Sequence, residues 1–94
     1  MRTMDFKLSL ADLKNHLQVF FESQNKMLPI ISIQKTAQDI ILVSATAGKP
    51  LTLGYLKESL ASLPDDHLKI SVSCGSQKAL VFGYRLTQTQ ILFS

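Results

Sequence analysis

Residues 9–17, Ser-Leu-Ala-Asp-Leu-Lys-Asn-His-Leu, align without a gap on residues 52–60, Thr-Leu-Gly-Tyr-Leu-Lys-Glu-Ser-Leu. A hydroxyl residue comes first in both, and Leu, Leu, Lys and Leu then fall at the same places. Each segment reads as a helix start, and each is followed by short runs with strand character. The chain therefore reads as two related α-β-β halves, a pseudo-repeat over 9–45 and 52–94. With 94 residues it is too short to bury two independent interiors. The halves are expected to share one core in a single domain, 1–94.

The first helix is predicted over 10–24. Leu10, Leu13, Leu17, Phe20 and Phe21 recur at i, i+3, i+7, i+10 and i+11 as one apolar stripe. Ser9 is the expected N-cap, with Asn25 and Pro29 as stop signals. Residues 30–35 and 40–44 are rich in β-branched side chains and are predicted to pair as a hairpin across 36–39, the second strand being apolar on both faces.

Thr52 is the expected cap of a second helix, with Leu53, Leu56, Leu60 and Leu63 buried and Pro64 ending it. Leu68, Ile70, Val72 and Cys74 alternate with Lys69, Ser71 and Ser73, which predicts a half-buried strand. Gly75 supplies the turn. On the return strand Leu80, Phe82, Tyr84 and Leu86 fall on one face, and Gly83 marks a bulge or a close approach. A bend at 87–89 leads to a last strand over 91–93. A three-residue shift in the second half also sets residues 40–42 against 80–82. The fold expected from these elements is α+β in two layers, two helices packed on a mostly antiparallel sheet of four to five strands.

The residues that carry chemistry do not assemble in the sequence. His16 and His67 stand in different elements, and neither they nor Cys74 have metal-site spacing, so no metal or cofactor is expected. Cys74, at the inward end of an alternating strand, reads as a small hydrophobe. The Asp65 and Asp66 pair after Pro64 reads as turn chemistry. Residues 48–50, Gly-Lys-Pro, lack the first glycine and the following hydroxyl of a phosphate loop. No catalytic residue is assigned, and the chain is expected not to be an enzyme.

Charged residues make up 18% of the chain, against about 25% in an average soluble domain. The surface is therefore short of charge, which points to apolar area covered by a homo-oligomer or another protein. Tyr55, off the leucine stripe of the second helix, is the candidate partner contact. The formal charge of +3 motivates an alternative in which Lys14, Lys57, Lys69, Lys78 and Arg85 converge on nucleic acid, although no two basic residues are adjacent. No apolar run approaches a membrane span, the start lacks a signal peptide, and the single cysteine suits a reducing compartment, so a cytoplasmic location is expected.

Residues 52–66 resemble a segment of small phage and bacterial proteins of unknown function, in which Thr-x-Gly-x-Leu begins a helix and Leu-Pro-x-Asp turns into strands. This chain differs in carrying an α-β-β unit ahead of the segment, and in having Tyr55 where an acidic residue is common. The resemblance implies an accessory protein of phage or mobile-element origin, and no catalytic residue carries over. Together these readings lead to a non-enzymatic protein-interaction module.

Overall fold

A computed structural model describes residues 2–62 and 68–94. Its elements are α1 (Thr3–Leu10), β1 (Gln18–Ser23), β2 (Lys26–Lys35), β3 (Asp39–Ser44), α2 (Leu53–Ala61), β4 (Lys69–Cys74), β5 (Gln77–Leu80), β6 (Tyr84–Leu86) and β7 (Gln90–Phe93). All seven strands join one sheet in the order β5-β4-β3-β2-β1-β7-β6. β1 runs parallel to β7 and β3 parallel to β4, while the other neighbours are antiparallel. The sheet curls into a half-barrel. Its two edge strands, β5 and β6, are consecutive in the chain and separated only by residues 81–83.

This corrects the two-layer α+β expectation of two helices on a four- to five-stranded antiparallel sheet. The molecule is mostly β, the sheet is mixed, and the helices have only 8 and 9 residues. The error lies in residues 10–24, where the helical stripe passes over Val19. Val19 is fully buried, and Leu17, Val19 and Phe21 are buried alternately with Gln18, Phe20 and Glu22, which are more exposed. That is strand periodicity. Leu10 instead ends α1, and the Ser9 hydroxyl donates to the Phe6 carbonyl inside that helix rather than capping a new one. Pro29 falls within β2, opposite Phe20.

Other expectations stand. Thr52 Oγ1 accepts from the Tyr55 N–H at the start of α2, and Leu53, Leu56 and Leu60 are buried. Gly75 takes φ +62° in the β4–β5 turn. Thr36 and Thr87 close the β2–β3 and β6–β7 turns in the same way, each hydroxyl accepting from the N–H three residues on, at 2.9 and 3.0 Å. Leu63, Pro64, the Asp65 and Asp66 pair and His67 lie outside the described residues.

The two halves of the chain repeat one another, with a register different from the alignment of 9–17 on 52–60. Phe20 faces Pro29, and 51 residues later Ser71 faces Leu80. Ile33 faces Leu42, and Tyr84 faces Phe93. The parallel pairs exchange between halves: Gln18 with Gln90 corresponds to Lys69 with Asp39. The helix starts exchange as well. Thr3 N–H donates to the Leu68 carbonyl at 2.9 Å, and Leu53 N–H to the Leu17 carbonyl at 2.7 Å.

Burial follows the same correspondence. In the sheet Val19 matches Ile70, Phe21 Val72, Ile30 Val81, Ile40 Ile91 and Leu42 Phe93. In and beside the helices Phe6 matches Leu56, Leu10 Leu60 and Leu17 Leu68. The one remaining member of the buried apolar cluster, Leu53, corresponds to the buried Thr3. One interior is thus built twice over by equivalent positions, and each half completes the other.

Candidate interaction surface

The break between β5 and β6 is a β-bulge. Phe82 and Gly83 both donate their N–H to the Ser94 carbonyl, at 2.8 and 3.2 Å, and Ser94 N–H donates back to Gly83 at 3.0 Å. Two residues opposing one disrupt the ladder locally and re-aim the bulged side chain. Val81 turns into the core at 0% exposure, while Phe82 is 79% exposed and Leu80 is 47% exposed. All four residues of β5 are exposed. Among the described residues β5 pairs with β4 alone, and its other edge carries no strand.

The expected return strand is thus not continuous: β5 stops at Leu80 and β6 begins at Tyr84. Leu80 and Phe82 point outward and Val81 inward, while Tyr84 reaches the core by an edge-on contact with Phe93 at 6.1 Å. The sequence signal for this was Gly83, read as a bulge or a close approach without its consequence for Phe82.

Tyr55 is 54% exposed on the first turn of α2. The preceding Gly54 lies against Asn15, where an added Cβ would come within 3.0 Å of the Asn15 Cβ. Close approach of the α1–β1 loop therefore favours glycine there, and it leaves Tyr55 turned to solvent beside that contact.

The five cations proposed for nucleic acid do not form a set of free charges. The Lys57 ammonium is spent on the loop after α1, donating to the carbonyl of Leu13 and, at 3.0 Å, to Asn15 Oδ1. Lys78 pairs with Asp39 at 2.7 Å. The Arg85 guanidinium grips Glu22 through Nε at 2.9 Å and Nη2 at 2.7 Å. These bonds hold the Glu22 carboxyl below its ordinary pKa and push that of Arg85 up. Lys69 sits beside Asp39 in the β3–β4 register, and Lys14 lies in the loop after α1.

Three surface hollows accompany these features. One of about 180 Å³ lies between the helices, lined by Lys7, Leu10 and Ala11 and by their counterparts Lys57, Leu60 and Ala61. A second, of about 530 Å³, includes His16, whose Nε2 lies 3.3 Å from the Gln88 carbonyl. The third, of about 330 Å³, reaches Cys74, where the Ser44 hydroxyl lies 3.3 Å from Sγ. Among the described residues, no three His, Cys, Asp or Glu side chains gather as metal ligands, and no helix is long and apolar enough to cross a membrane. Comparison with protein families, curated proteins and solved structures finds no match.

Proposed function

We propose that this protein is a non-enzymatic binding module that meets a protein partner through the apolar strip formed by Leu80 and Phe82. The observation that carries this reading is the 79% exposure of Phe82 on a bulge fixed from both sides by backbone hydrogen bonds. A large aromatic ring held in water by a rigid support costs solvation free energy that a partner's surface recovers, and aromatic anchors of this kind dominate interface energetics. The accessory role implied by the resemblance over residues 52–66 is retained in this proposal, and Tyr55 is a secondary contact in it.

The test is affinity capture from the source cell with the wild-type chain and with Phe82→Ser, the two matched by circular dichroism. The wild type is expected to retain a partner that the variant loses. Identical captured sets with both chains would overturn the reading.

A further inference from the structure

Position for position, Phe82 corresponds to Ile31. Both are bulge residues: the β2–β3 register slips between Ile30 and Ser32, where Phe82 and Gly83 share Ser94 in the second half. Ile31 is only 37% exposed, and Pro29, the counterpart of Leu80, is buried. The difference has a visible cause. In the first half the chain leaves β3 and lays residues 45–50 over this region. Ala45 N–H donates to the Pro29 carbonyl at 3.1 Å, and Leu51 N–H donates to the Ile30 carbonyl at 2.8 Å. Between them Gly48, at φ +137°, lies so close to Ile31 that an added Cβ would stand 3.1 Å from its Cγ2. Among the described residues no such segment covers Phe82, which is 79% exposed.

The Leu80 carbonyl, counterpart of the Pro29 carbonyl, is nevertheless there. Val81 N–H donates to the Ile70 carbonyl. In an antiparallel ladder that bond makes Ser71 and Leu80 a non-hydrogen-bonded pair, with the Leu80 carbonyl pointing away from β4. The Pro29 carbonyl points away from β1 in the same manner and meets Ala45. We propose that the Leu80–Phe82 strip is a docking site for an extended peptide segment of a partner protein, which donates a backbone N–H to the Leu80 carbonyl and lays a glycine over the Phe82 ring. The molecule itself supplies the template for the occupant, Ala-Thr-Ala-Gly-Lys-Pro at residues 45–50. Backbone addition at a strand edge provides affinity, and the small residue over the ring provides selectivity. This inference rests on the binding-module reading and names the chemistry of its partner.

The experiment titrates the isotope-labelled full chain with the capped hexapeptide Ala-Thr-Ala-Gly-Lys-Pro, and with the same peptide carrying valine in place of glycine. Saturable amide shifts are expected at residues 79–83 and at Ser94, with the valine peptide about tenfold weaker or worse, a step of about 1.4 kcal/mol. Phe82→Ser should abolish them. In a second form the hexapeptide follows Ser94 through a short Gly-Ser linker, which raises its local concentration to about the millimolar range. The tethered segment should slow amide exchange at Phe82 and Gly83. Absent or scattered shifts together with unchanged exchange in the tethered chain would overturn the inference. If Phe82→Ser still lost its captured partner in that case, the binding-module reading would stand alone. A wild-type dimer in light scattering that Phe82→Ser converts to monomer would place a second copy on the strip and overturn the peptide assignment.

Discussion

Glu22 and Arg85 come from different halves of the chain and meet in a two-pronged ion pair between β1 and β6. The Arg85 hydrogen bonds hold the Glu22 carboxyl below its ordinary value of 4.5, against desolvation, which acts the other way and outweighs the attraction of the Arg85 charge alone. A carboxyl whose folded pKa is depressed contributes stability that is present above its unfolded pKa and is lost as the pH falls through the folded one. In Arg85→Ala the Glu22 carboxyl should titrate higher than in the wild type, which a carbon-detected NMR titration reads directly. The stability gap between wild type and variant should be present at neutral pH and close below the wild-type Glu22 pKa. A gap that persists in acid would show that the arginine acts through packing of its stem. The contribution is modest, because both side chains reach solvent and such pairs are screened.

At the scale of elements, the sequence is legible wherever local chemistry alone decides. Thr52 with its leucines specified α2, and Thr36, Gly75 and Thr87 specified three turns, because the groups that satisfy those backbones lie within three residues. It is not legible where a distant partner decides. Residues 18–21 become strand because β7, 72 positions on, supplies a parallel neighbour from Gln90 to Phe93. The stripe of Leu10, Leu13 and Leu17 gave no hint of that partner. The exposure of Phe82 was hidden in the same way, since alternation along one strand cannot reveal that Ser94 will bind two successive amides.

The hairpin tips give a test at this scale. Gly75 at φ +62° has nothing within 4 Å of an added Cβ, so Gly75→Ala isolates the backbone cost of the left-handed conformation. A loss of about 1 kcal/mol in denaturant unfolding is expected. At the equivalent tip Gln24 and Asn25 carry φ 50° and 65°, so Gln24→Gly should shift stability the opposite way. Equal and opposite signs at the two tips would follow from backbone strain alone, whereas loss at both would show that the Gln24 side chain makes a contribution of its own.

For the molecule as a whole, the exchange between halves decides how it unfolds. Neither half closes its own helix start or completes its own sheet. Thr3 is tied to Leu68 and Leu53 to Leu17, while β3 is paired with β4 and β1 with β7. Removing either half would strip partners from the other along every one of these seams. The two halves are therefore one cooperative unit despite their repetition. Leu10 and Leu60 are equivalent positions, 0% and 1% exposed, and truncating either should cost about 2–5 kcal/mol. The location of the damage should not matter. In Leu10→Ala and in Leu60→Ala, amide exchange at Val19 and at Ile70 should accelerate together, and fluorescence and far-ultraviolet circular dichroism should report one coincident transition. A biphasic curve, or Leu10→Ala loosening Val19 while Ile70 stays protected, would mean that the halves fold as separable units and that the crossed hydrogen bonds do not couple them.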